Sequence, residues 1–190
     1  MVEYNVWHAG QLPKKLQKDA NGLMHRQMRY AYAQEGIGTI KYKLIHVLAE
    51  WSALGQGQRP RMVLTEGRGE EEKVVAVVDY NPLRSTVNEI ASAKKSENEK
   101  KHIEESLGKT AAEELLLHLI FYLKKIHAKN YADAALLGGG HHLASRLEKS
   151  GFKVVDQGKG VHRIYFPERP PERVADAMWR GRYDKATSRR

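Results

Sequence analysis

Cysteine is absent from this chain of 190 residues, which removes disulfides, thiolate metal ligands and a cysteine nucleophile together. Such a fold has no need of an oxidising compartment. Long apolar runs are also missing: the longest, around Leu115 to Leu123, is interrupted by His118 and is too short to span a bilayer. Residues Met1 to His8 lack a basic stretch leading into an apolar one, so no secretory leader is expected and the chain reads as cytoplasmic, with no membrane partner. Acidic charge is in deficit, 23 Asp and Glu against 32 Lys and Arg, for a formal net charge of +9. That field attracts polyanions such as nucleic acid, an acidic lipid surface or a phosphorylated cofactor, and it equally fits a soluble protein with a charged surface.

What is present fits one domain. With 41% hydrophobic residues the chain can bury a genuine core, and no internal repeat divides it. Pro167, Pro170 and Pro171 mark a boundary, giving a single domain over 1–167 and a basic tail over 168–190. Val2 to Trp7 reads as a strand, and Leu12 to Tyr32 as a basic helical region that Asn21-Gly22 breaks or bends, giving two helices. Thr39 to Leu54 has helical spacing with Trp51 in the core. Arg61 to Glu66 and Lys73 to Tyr80 read as antiparallel strands, with Val74 to Val78 as a central one, and Thr86 to Ala93 as a further strand. Lys94 to Glu105 has almost no apolar content and reads as a solvated loop or helix extension.

The last third carries the strongest pattern. Thr110 to Ile126 is a helix with capping-box spacing between Thr110 and Glu113, its inward side formed by Leu115, Leu116, Leu119, Ile120, Leu123 and Ile126. A short strand, Ala132 to Leu137, runs into Gly138, Gly139 and Gly140. A helix from His141 to Ser150 ends at Gly151-Phe152, and a final hairpin pairs Phe152 to Val155 with Val161 to Phe166. This order aims a helix N-terminus and a glycine-rich strand end at one crevice. Unpaired N–H groups and the positive end of the helix dipole attract phosphate there. The glycines match neither a dinucleotide-binding fingerprint nor a Walker loop, and the adjacent His141 and His142 have no third ligand at metal-binding spacing.

The same order of elements resembles the GNAT superfamily of N-acetyltransferases, most clearly from Val74 to Phe166. In that family a segment written Arg/Gln-x-x-Gly-x-Gly/Ala precedes a helix. Here Glu105 to Ala111 corresponds, with Gly108 and the following helix matching and Glu105 in the basic or neutral place. The family's later Gly-Phe matches Gly151-Phe152, with Leu147 where many members carry a tyrosine that protonates the leaving thiolate. The resemblance implies an α/β fold with a mixed, largely antiparallel central sheet and helices on both faces. It implies acetyl-CoA or a related acyl-CoA as co-substrate, cradled by Gly108, Lys109, Thr110, Ala111 and Ala112, with Gly138 and Gly139 beside them, and no metal.

Acetyl transfer to an amine needs a base, oxyanion donors and a proton source for the thiolate. By the resemblance the first candidate base is Glu89, then Asp79; His141, Ser145 and Tyr165 are candidates for the remaining proton transfers. Each has an ordinary structural alternative: an exposed strand carboxylate for Glu89, a polar first turn for His141, core packing for Tyr165. Two functions therefore stand. One is an acyl-CoA-dependent N-acyltransferase, its acceptor in or near DNA or tRNA, drawn by Lys14, Lys15, Lys18, His25, Arg26, Arg29 and the tail, or a free amine elsewhere. The other is a non-catalytic nucleic-acid-binding or interaction protein on the same scaffold.

Overall fold

A computed structural model describes residues 3–8, 11–34, 61–93, 96–135, 140–149, 151–158 and 161–168. The first half runs β1 (Tyr4–His8), α1 (Lys14–Gln34), β2 (Arg61–Glu66), a 3-10 turn (Gly69–Glu71), β3 (Lys73–Asn81) and β4 (Thr86–Ser92). The second half runs α2 (Glu97–Leu107), α3 (Ala111–His127), β5 (Tyr131–Ala135), α4 (Gly140–Lys149), β6 (Lys153–Asp156) and β7 (Val161–Tyr165). The strands form one seven-stranded sheet in the order β1-β2-β3-β4-β5-β7-β6. Every neighbouring pair is antiparallel except β4 and β5. This is the mixed, largely antiparallel α/β sheet expected from the sequence.

Helix α3 explains why the sheet is covered on one side. Leu115, Leu119, Ile120 and Leu123 have no exposure, and Leu116, Leu117 and Phe121 are buried as well. A helix apolar round most of its circumference must be clamped between layers. It shares a core with Met62, Leu64, Val78 and Tyr80 of the sheet beneath it and with Ala144 and Leu147 of α4. The opposite face of the sheet is covered by α1, whose Leu16, Ala20, Leu23 and Met24 recur at helical spacing against Val63, Val77 and Ala91.

The expected break at Asn21-Gly22 is absent, since α1 is continuous. A glycine inside a helix costs about 1 kcal/mol, which packing on both sides of Gly22 outweighs, and the Asn21 side chain accepts a hydrogen bond from Arg61 of β2. The polar stretch after β4 is a full helix, α2, opened by a reciprocal capping box between Ser96 and Glu99. Only Ile103 of α2 is buried, so the helix stands on its cap and a narrow apolar contact rather than on a broad face. Ile126, expected inside, is 46% exposed because it sits in the last turn of α3 beyond the sheet. The Thr39 to Leu54 segment with Trp51, the tail and Gly138 and Gly139 lie outside the described residues.

Ile120 touches the centre of the larger core with no solvent exposure. Ile120→Ala is expected to lower unfolding free energy by about 2–5 kcal/mol, as read from urea denaturation.

Candidate active site

The one parallel pair among the described strands places the candidate site. β4 and β5 pair only at Thr86 with Asp133 and Val87 with Ala134, although β4 continues to Ser92. Ser85 fastens the start of this pair, its hydroxyl donating to the Tyr131 carbonyl while the Asp133 N–H donates to the Ser85 carbonyl at 2.9 Å. Among the described residues the ladder runs as far as Val87 and Ala134, and β4 continues towards its C-terminal end. The chain leaves β4 at that end and returns through α3 to the start of β5, which brings the α3 N-terminus to the C-terminal end of β4. Ligands in open α/β sheets bind at such strand ends.

The turn before α3 is built for this position. Gly108 ends α2 in the left-handed region, φ 70°, and its N–H donates to Glu104 O at 2.8 Å. The Gly108 N–H is therefore occupied, a correction to the expected cradle: Gly108 shapes the turn rather than donating from it. Thr110 caps α3, its Oγ1 accepting the Glu113 N–H at 3.2 Å. The N–H groups of Ala111 and Ala112 have no partner among the described residues. They point out of the helix start as the orphan donors of any first turn.

Side-chain charge around this turn is balanced. Glu113, 5% exposed, lies 3.7 Å from the Arg146 guanidinium of α4. Glu114 receives Lys109 Nζ at 3.3 Å and His118 Nε2 at 3.1 Å. Burial pushes the Glu114 carboxyl up, but the hydrogen bonds and charge of His118 and Lys109 outweigh it and hold it below its ordinary value. Lys109 is therefore fixed at the helix start rather than swinging in solvent. Glu105 is exposed and lies 3.8 Å from Lys101 one turn back, away from the helix start. The Glu114 to His118 spacing of four was present in the sequence as a signal for this contact and was missed.

Glu89 is turned to the α1 face by a β-bulge. Asp79 stands opposite Glu89 and Tyr80 opposite Val87, so Asn88 is an extra residue in β4. The insertion reverses the alternation: Val87 packs in the α3 core, whereas Ala91 packs under α1. Glu89, two residues before Ala91, thus faces the α1 side, next to Asp79 of β3. Asp79 is buried and accepts a two-pronged ion pair from Arg61, Nη2 to Oδ2 at 3.0 Å. Burial, and then the charge of Asp79, push the Glu89 carboxyl up to about 7. Of the two candidate carboxylates, Asp79 is committed to Arg61 and Glu89 is the one poised near neutrality.

The remaining candidates are scattered. Ser145 is on the exposed side of α4, whereas Leu147 is wholly buried in the core and carries no polar group to the site. Tyr165, expected to pack in the core, is 37% exposed on the outer face of β7, with its ring 6.3 Å from that of Tyr131 and Lys153 Nζ 5.5 Å above it. The backbone of His141 and His142 forms the first turn of α4, while their side chains lie outside the described residues. No group of three metal-ligating side chains occurs among the described residues. No described helix is long and apolar enough to cross a membrane.

Solved structures similar to this chain span most of its length. A domain from Methanocaldococcus jannaschii DSM 2661 is 12% identical over 87% of this chain and 99% of its own, with a TM-score of 0.51. The PaiA N-acetyltransferase from Thermoplasma acidophilum, solved with coenzyme A, is 14% identical over 86% of this chain and 97% of its own, with a TM-score of 0.46. The N-acetyltransferase PseH from Campylobacter jejuni, solved with acetyl coenzyme A, is 10% identical over 88% and 100%, with a TM-score of 0.42. At such identities the likeness is one of fold. No protein-family model matches the chain, and no curated protein matches it in sequence.

The raised Glu89 pKa has a sign that experiment can read. Between the ordinary value of 4.5 and about 7 the folded protein holds the Glu89 proton more tightly than the unfolded chain does. Its contribution therefore favours folding at low pH and is lost as pH rises through that window. Glu89→Gln is expected to gain stability relative to the unsubstituted protein at pH 8 compared with pH 4, measured as the difference in urea midpoints.

Proposed function

We propose that this chain is an acyl-CoA-dependent N-acyltransferase of the GNAT type, transferring an acetyl or related acyl group to an amine. The observation that carries the reading is the α3 start at the C-terminal end of β4, the parallel neighbour of β5, with the Ala111 and Ala112 N–H groups unpartnered among the described residues. The pyrophosphate of acyl-CoA fits that helix start, held by those two N–H groups, by the positive end of α3 and by Lys109. Gly108 and Thr110 act by shaping and capping the turn.

In this reading Glu89 takes a proton from the acceptor amine, whose nitrogen attacks the thioester carbonyl carbon. A C–N bond forms, the C–S bond breaks, and the thiolate leaves with a proton. A base near 7 suits this step, since half of it is ionised at neutral pH and its conjugate acid is strong enough to return the proton. His141, in the first turn of α4 beyond β5, is the proton source for the thiolate; Ser145 and Tyr165 are too exposed for it to be their first role. Asp79 acts through Glu89 rather than on substrate. No metal takes part, and the protein works in the cytoplasm.

A nucleic-acid acceptor, DNA or tRNA, is favoured by one further observation. The exposed side of α1 carries Lys14, Lys15, Lys18, His25, Arg26 and Arg29 against the single acid Asp19. This helix covers the sheet face on which Glu89 lies. The same face supports the second reading, a nucleic-acid-binding protein that performs no transfer.

Thermal melting separates the two readings, since a ligand bound only by the folded state raises the melting temperature. Acetyl-CoA at saturation is expected to raise it, and no shift would sink the transferase. Ala111→Pro keeps the first helical position acceptable while deleting one N–H, and removing a hydrogen bond to a charged group costs about 1.5–3 kcal/mol. Acetyl-CoA affinity should accordingly fall about tenfold or more, measured by calorimetry. For the polyanion face, Lys14→Glu with Lys18→Glu is expected to weaken tRNA binding and flatten its log–log salt dependence by about 1 per lysine. An unchanged slope in filter binding would remove α1 from the interface.

A further inference from the structure

Arg61 opens β2 and reaches two other elements at once. Its Nε and Nη2 donate to the two carboxylate oxygens of Asp79 on β3, and its Nη1 donates to Asn21 Oδ1 on α1. Asp79 is 3% exposed, so both its oxygens are held in a dry place by a planar fork that matches them. The register sets Asp79 directly across from Glu89, where cross-strand side chains are about 5 Å apart. Two carboxyl groups at that separation do not ionise independently. How strongly the first disfavours the second depends on how completely its own charge is compensated.

We infer that Arg61 is a positioning residue for Glu89: by clamping Asp79 and tying α1 to the same sheet face, it sets both the place of the Glu89 carboxyl and the field it experiences. The inference deepens the proposed function and rests on Glu89 as its base. Nothing else among the described residues competes for that role. On this face the further strands carry Asp133 and Arg163, which pair with each other at 2.7 and 2.8 Å, Tyr131 and Tyr165 beside Arg163, and Lys153 over the Tyr165 ring. Towards the sheet α1 presents Leu16, Ala20, Leu23 and Met24, and its charged side chains are exposed. Asn21 is the polar group that α1 contributes, and its contact is with Arg61.

The experiment needs no acceptor. The full chain is labelled with carboxyl-¹³C glutamate, the Glu89 resonance is identified by its loss in Glu89→Gln, and its shift is followed against pH. The unsubstituted protein is expected to titrate near 7. Asp79→Asn should bring the midpoint down towards 4.5. Arg61→Gln leaves Asp79 uncompensated and should move the midpoint up by about one pH unit or more. The double variant Arg61→Gln with Asp79→Asn should titrate above Asp79→Asn, which keeps the Arg61 charge, and below Arg61→Gln, which keeps the Asp79 charge. An unchanged midpoint in Arg61→Gln overturns the inference. Should that variant fail to fold, Arg61→Lys decides. A point-like ammonium leaves one Asp79 oxygen unpaired, so the midpoint rises by a smaller, resolvable step, and no rise overturns the inference. The outcomes are separable: no acetyl-CoA binding defeats the transferase while this titration stands, whereas a Glu89 indifferent to Arg61 defeats the inference alone.

Discussion

The constraint on which this structure depends is the parallel pairing of β4 with β5 in a sheet that is otherwise antiparallel. Parallel neighbours cannot be joined by a tight turn, so the chain must cross over a face of the sheet. α3 makes that crossing and is apolar enough to be held there, with Leu115, Leu119, Ile120 and Leu123 fully buried. Its direction is then no longer free. The helix start must lie towards the end at which the chain leaves β4.

A helix start suited to an anion is here surrounded by acids, and compensation makes the arrangement consistent. Glu113 and Glu114 belong to the first turn, where negative side chains complement the helix dipole but compete with a negative ligand. Arg146 stands against the first, and Lys109 with His118 against the second. The same economy governs the far wall. Asp79 is buried with Arg61 on both oxygens, so the pair is nearly neutral as a unit and leaves Glu89 to bear the unfavourable environment. Uncompensated, two buried carboxyls would be costly to keep on adjacent strands.

Several side chains show why a motif position does not by itself assign chemistry. Leu147 occupies a place that the resemblance gives to a tyrosine, and the fold uses it as a core residue with no exposure. Gly108 matches the expected glycine, yet its N–H closes α2 and its value lies in a positive φ. Asn21 looked like a helix breaker and serves as a tie between α1 and the sheet through Arg61. Asn21 finds its partner Arg61 40 positions away, whereas Gly108 closes on Glu104 within its own helix.

The sequence by itself determined the elements whose signals are local. The periodicity of α3, the Thr110 cap, the alternation of β2, β3 and β4 and the closing hairpin of β6 and β7 were all legible, because they depend on residues within a few positions of one another. The capping box of Ser96 and Glu99 and the Glu114 to His118 contact were equally local and went unread. Tertiary structure alone decided the rest. Whether Asn88 is an extra residue that turns Glu89 towards α1, and which of two carboxyls Arg61 neutralises, depend on register between strands. A shift of one residue exchanges the two faces of a strand without altering its composition.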